Sequence, residues 1–266
     1  MAYRQPLFLS HHALRLAGAA AIGGTAMHVD FPVARAFDSA GLRRARFGGT
    51  AANQYVKVDR GAGFAALQTL DRLIIPAGHN LNGCTVQVRQ HTSDPAAGTD
   101  GTLIGSQAVT GSALVEIALS PALSNRYAIV NFVTAGTAWE FGELWLGKLN
   151  ALTTSSPEPE WTEAPLARIA ETELESGAVF RVARGQTKRT YRLRIPWNAA
   201  ADVAVFDFLL SDTADGLFPF YFYDMDSTHA AVRVELVGGL PRRQDHPVPS
   251  SSTTFAFELE LREAVT

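Results

Sequence analysis

The side chains here that could do chemistry are seven histidines, one cysteine and a few groups of charged residues. The histidines are His11, His12, His28, His79, His91, His229 and His246. None stands at HExxH or a comparable metal-ligand spacing. His11 and His12 are adjacent, and adjacent side chains point apart in an extended chain, so they chelate poorly. His79 lies in the turn running from Gly78 to Gly83, where a structural hydrogen bond is the expectation. Cys84 is the only cysteine, which rules out an internal disulfide. Strand-like neighbours, Thr85 to Val88, mark it as a buried small hydrophobe and not a reactive thiol.

Paired carboxylates could serve as general acid and base. The candidates are Asp94 with Asp100, and Asp212 with Asp215. Each pair sits in a glycine-containing loop, where Asp favours turn hydrogen bonds. A Ca²⁺ loop over Asp94–Gly101 is the lesser alternative, because the spacing is not that of an EF-hand. No GxSxG elbow, Walker A or dinucleotide fingerprint occurs. Gly48-Gly49 and Gly61-Ala62-Gly63 lack the following helix that phosphate binding uses, so they read as turns. The expectation is no catalytic residue, no metal site, no cofactor, and a protein that is not an enzyme.

Two basic clusters stand out, Arg43-Arg44-Arg46 and Arg242-Arg243. Neither has the interleaved aromatics of a nucleic-acid platform. The first suits the rim of an acidic neighbour. The net charge is −3, but residues 1–150 carry 12 basic and 9 acidic groups and the remainder 11 and 17. Only three of the 23 basic residues are lysines. Arginine suits fixed, bidentate contacts between protein surfaces, although a GC-rich genome gives the same bias. No window approaches the ~20 apolar residues of a membrane span. The start has an Arg, apolar residues and small residues, but Ser10, His11, His12 and Arg15 interrupt any signal-peptide core.

The elements that must position these residues are mostly strands. Residues 1–24 are Ala/Gly-rich and read as an arm or early strand that could pair with a neighbouring subunit. Residues 25–148 give strands at 54–58, 69–76, 84–91, 114–119, 126–132 and 138–146, separated by turn chemistry. That spacing predicts a sandwich or jelly roll. Residues 149–165, with three prolines and a Thr/Ser cluster, form a linker that Trp161 anchors. In residues 166–266, strands at 178–184 and 188–195 flank Gly185-Gln186 as a hairpin. A helix over Asn198–Ser211 follows, capped by Asn198, with Val203, Phe206 and Leu210 on one stripe. Strands at 218–223, 231–237 and 254–262 complete it. The stretch 238–252 is too polar and proline-rich to pack in a core.

The order FPVARAFD, QYVKVD, LDRLIIPAGHNLNGCTVQVR and WEFGELWLGK resembles the discoidin-like (galactose-binding-type) jelly rolls of minor tail proteins in long-tailed bacteriophages. The match covers about residues 28–148. The C-terminal part carries Ser176-Gly177, Gly185, Arg189, Tyr191, Leu193, Gly216, Pro219, Phe220, Phe222 and Asp224 in the order found in phage tail-tube and distal-tail barrels. The fold expectation is therefore mainly β: an N-terminal β-sandwich jelly roll plus a C-terminal β-barrel or sandwich with one flanking α-helix.

The resemblance implies a structural protein of the tail tip or baseplate, assembled in the host cytoplasm and resident in the virion. Its partners would be further copies of itself in a ring, a hexamer by analogy, together with the tail tube, hub and fibres. No nucleic acid and no membrane insertion are expected. Arg242, Arg243 and Asp245, in the 238–252 loop, are the candidate inter-subunit contacts. The alternative is a carbohydrate-binding adhesion module, since loops at one end of discoidin-like sandwiches can bind sugars. Trp139 or Trp145 could stack on a sugar there, although a core role is favoured for both.

Overall fold

The computed structural model describes residues 7–10, 20–37, 43–63, 69–151, 162–166, 169–173, 179–183, 188–197, 205, 209, 219–224, 229–237, 243–246 and 254–264. The chain divides into two compact units, 7–151 and 152–264. Among the described residues no helix is long and apolar enough to cross a membrane.

The first unit is a two-sheet sandwich. One sheet has the order β2 (Ala20–Gly24), β4 (Gln54–Asp59), β9 (Tyr127–Phe132), β6 (Thr85–His91), β7 (Thr102–Ala108). The other runs β1 (Leu7–Ser10), β11 (Trp145–Ala151), β5 (Leu70–Ile75), β8 (Val115–Leu123). Two short strands, β3 (Ala45–Arg46) and β10 (Glu140–Phe141), pair beside them.

The strands form because their apolar residues recur with period two. In β4 Gln54, Val56 and Val58 are buried while Tyr55, Lys57 and Asp59 are half-buried. β6 repeats this with Val86, Val88 and Gln90. Register sets Val56, Val130 and Val88 side by side across one sheet. Leu146, Leu73 and Ile117 form the corresponding row in the other. All belong to one apolar core. Phe47, Phe132 and Phe141 close it at one end, with Phe132 and Phe141 stacked at 4.9 Å.

Several expectations need correction. The stretch 138–146 is not one strand: β10 ends at Phe141 and β11 begins at Trp145. β7 was not foreseen, because TLIGSQA buries only Ile104 and carries Gly105 at its centre. Gly105 has a packing reason. A Cβ there would meet Ile117 Cγ2 at 2.8 Å and Leu119 Cδ2 at 2.9 Å, so only glycine lets β7 lie this close to β8. The early chain supplies β1, which pairs with β11 of the same chain.

The second unit holds the sheet β12 (Thr162–Leu166), β15 (Lys188–Trp197), β19 (Thr254–Glu263), β17 (Val232–Leu236), β16 (Phe220–Tyr223), with β18 (Arg243–His246) also on β19. β12 and β16 do not pair with each other, so the described strands make a sheet and not a closed barrel. Pro165 fits β12 because that strand stands at the end of the sheet. Tyr191 and Leu193 are buried while Arg192 between them is exposed, as period two requires. Tyr191 meets Phe222 edge-on at 5.2 Å.

The foreseen hairpin is replaced. β14 (Val179–Ala183) pairs with β13 (Ile169–Glu173), while β15 pairs with β12 and β19. Glu171 stands opposite Arg181 in that register. Of the helix expected over Asn198–Ser211, Val205 and Leu209 are described; both are helical, and Leu209 is buried. Val203, Phe206, Leu210 and the cap Asn198 lie outside the described residues. So do Gly185-Gln186, Gly216, Trp161, His11, His12, Asp212 and Asp215.

Candidate functional site

The described parts of four connections meet at one end of the sandwich: 25–37 with 43–53, 76–84, 109–114 and 133–144. They are tied to one another by hydrogen bonds. Gly78 N–H donates to Ser112 O at 2.8 Å, Gly83 N–H to Val109 O at 2.9 Å, and Gly136 N–H to Thr50 O at 2.8 Å. Asn80 reaches the last connection three ways. Its backbone N–H donates to Glu140 O, its Nδ2 donates to Ala138 O at 3.2 Å, and its Oδ1 accepts from Glu140 N–H. Asn82 Oδ1 accepts from Gly111 N–H at 2.8 Å. Asn and Asp stand in such turns because their short side chains reach nearby backbone.

His79 sits among these loops and is buried. Its Nδ1 accepts from Leu81 N–H at 3.3 Å, which leaves Nε2 as the donor to Ala113 O at 2.8 Å. Burial pushes its pKa below the ordinary histidine value, and the nearby Arg44 charge acts in the same direction. The ring is thus a structural pin, as expected from its turn. Arg44 lays its guanidinium over Gly78, where a Cβ would sit 3.0 Å from Nη2. Gly78 has φ +87°, the region glycine occupies without strain. Trp139 donates its indole N–H to Thr134 O at 3.0 Å and is 3% exposed; Trp145 is fully buried. Both are packed inside, so neither offers an open stacking face.

The opposite end is built differently. In the 92–101 connection Asp100 Oδ2 accepts from the N–H groups of Ala96 and Ala97, each at 2.8 Å. Asp94 pairs with Lys57 at 2.8 Å. The two carboxylates are thus committed to a turn and to an ion pair. Among the described residues no three His, Cys, Asp or Glu groups gather as metal ligands would. Arg126 forks onto Asp59, and Gly61 N–H adds a third bond to Asp59 Oδ1 at 2.8 Å. The Arg126 hydrogen bond holds the Asp59 carboxyl below its usual range. Buried Arg60 donates to Leu123 O and Asn125 O at 3.3 and 3.1 Å, fixing the turn before β9.

Cys84 is buried, and burial pushes its thiol up to about 11, so it carries no reactive thiolate. Arg243 and Asp245 lie in β18, in register with Phe257 and Phe255, so part of the expected 238–252 loop is a strand. Its polar, proline-rich composition excludes core packing but not pairing at the side of β19. Arg242 lies outside the described residues. The cluster Arg43-Arg44-Arg46 does not act alone. Arg46 and Arg35 both lie against the ring of Phe31, with Cζ at 4.7 and 5.4 Å from its centroid. Sequence reading missed Phe31 and Arg35, which their place in FPVAR beside a basic cluster hinted at. In the second unit Asp224 is buried and hydrogen-bonds His229 Nδ1 at 2.6 Å.

No family model matches the chain, and no curated protein matches it. Solved structures do. A chitosan-binding module from a chitosanase/glucanase of Paenibacillus sp. IK-5 shares 21% identity, with 51% of this chain and 98% of that chain covered, at a TM-score of 0.39. The family 32 carbohydrate-binding module of C. perfringens NanJ, solved with galactose, shares 10% over 54% and 99%, also at 0.39. A fucolectin from striped bass serum shares 12% over 70% and 68%, again at 0.39. These names are those of sugar binders, and none is a tail protein. At such identity and TM-score the likeness decides neither ligand nor site.

Proposed function

We propose that the chain works by recognition and not by turnover, and that its sandwich takes a carbohydrate at the loop-tied end. The observation that supports this is the set of bonds across the four connections. A sugar presents hydroxyls that need donors and acceptors held in place beforehand, or ordering costs offset the gain. Asn80, Asn82, Ser112 and Thr134 are all exposed there on backbone that is already pinned. The resemblance to galactose-binding-type jelly rolls supports the same end. The test is a glycan array followed by titration of the full chain. Binding should appear for at least one glycan and weaken about tenfold or more in Ser112→Arg and Arg44→Ala. An array with no binding at any glycan overturns the proposal.

A second reading, compatible with the first, is that the C-terminal unit builds the chain into a phage tail tip as a ring. Tyr191, Leu193, Phe220, Phe222 and Asp224 carry the resemblance to tail barrels, and all are buried in one unit. That supports a shared packing scheme. The ring, its partners in tube, hub and fibres, and residence in the virion belong to this reading. Native mass spectrometry of concentrated full chain should show a closed oligomer; a monomer at every concentration removes the reading.

A further inference from the structure

The turn 28–31 presents an exposed aliphatic tip beside an aromatic ring held between two cations. Val29 is 86% exposed. Phe31 has Arg46 Cζ 4.7 Å and Arg35 Cζ 5.4 Å from its centroid, and the edge of His28 at 5.5 Å. The patch is rigid. His28 N–H donates to Arg46 O, Arg46 N–H to Phe31 O, Phe31 N–H to His28 O, and Arg35 N–H to Pro32 O. Neither Arg35 nor Arg46 forms an ion pair among the described residues, and the nearby Asp30 approaches only His28, at 3.8 Å. The two guanidiniums are attracted to the ring face and Glu140 stands opposite Arg46 across the β3–β10 pair, yet neither arginine has a carboxylate partner among the described residues and Val29 stands in water, so the patch offers an aromatic–arginine anchor to an acidic surface.

We propose that this patch docks the acidic C-terminal half of a second copy of the chain. The halves differ in sign, 12 basic against 9 acidic in residues 1–150 and 11 against 17 beyond them. A contact between the first unit of one copy and the second unit of the next brings those opposite charges together. Such a contact uses two different faces, so it propagates and can close into a ring. Aromatic and arginine side chains are the groups that anchor interfaces of this kind. The inference rests on the assembly reading and adds the face that makes the contact.

Sedimentation velocity of the full chain at low and high salt tests it. Association should weaken about tenfold or more as salt screens the contact. Val29→Asp, and separately Arg35→Glu with Arg46→Glu, should leave the chain monomeric where the natural chain associates. Ser106→Asp, exposed on β7, should not change association. Association that ignores salt, or that persists in both patch variants, overturns the inference while the assembly reading stands. A chain that stays monomeric under all conditions overturns both.

Discussion

Arg126 meets Asp59 fork to fork, with Nε on Oδ1 and Nη2 on Oδ2, both at 2.8 Å. The partners are 67 residues apart in sequence and join the ends of β4 and β9 where the two strands lie side by side. Cζ of Arg126 also lies 5.0 Å from the centre of the Tyr127 ring. A planar fork of this kind fixes the register of two neighbouring strands as well as neutralising a carboxylate.

The pair makes stability depend on acidity. The folded-state pKa of Asp59 is lowered, mainly by the Arg126 hydrogen bond, below an ordinary value of 3.8. Its contribution is therefore complete above that ordinary value and is lost as pH falls through the lowered one. Melting temperature measured from pH 6 down to pH 2 should drop more steeply for the natural chain than for Asp59→Asn. The variant should already be less stable at pH 6. Equal slopes would show that the fork contributes nothing.

His79 acts in the same direction, in a higher pH window. Its folded pKa is below the ordinary 6.5, chiefly through burial. Both states are neutral above that ordinary value. The unfolded chain takes a proton first as pH falls below it, so stability declines towards the folded pKa. NMR should report the Nε2–H tautomer at pH 7 and a depressed titration midpoint. His79→Ala should cost about 1–3 kcal/mol, because Leu81 N–H and Ala113 O lose their partner.

Two glycines with similar backbone separate strain from crowding. Gly101 has φ +78° and Gly111 has φ +72°. A Cβ at Gly101 would run into the backbone oxygen of Gln90, whereas nothing lies within 4 Å at Gly111. Gly111→Ala should cost about 1–2 kcal/mol, the left-handed penalty alone. Gly101→Ala should cost several kcal/mol, about 3 or more, since backbone must also move. Urea unfolding of the two variants decides this, and equal midpoints would refute it.

Legibility followed the contrast between a strand's two faces. β4, β6 and the middle of β15 bury alternate side chains, so their periodicity was plain. β7 escaped because it buries a single aliphatic residue and yields its centre to Gly105. The β13–β14 pairing escaped because Gly185-Gln186 offered a competing turn, and turn chemistry says where a chain can reverse but not which strand it meets. The loop-tied end was the least visible. Asn80 and Ala138 are 58 residues apart, and His79 and Ala113 are 34 apart, so no local pattern encodes either bond. What the sequence did reveal there was residue type: a histidine and asparagines set between glycines.

Sealing the one thiol of the chain inside the sandwich leaves the surface chemically silent towards maleimides. A cysteine engineered in place of Val29 or Ser112 would be the only one a dye encounters. Fluorophores could then be attached singly, without first stripping any native attachment point, to follow in real time what approaches each face.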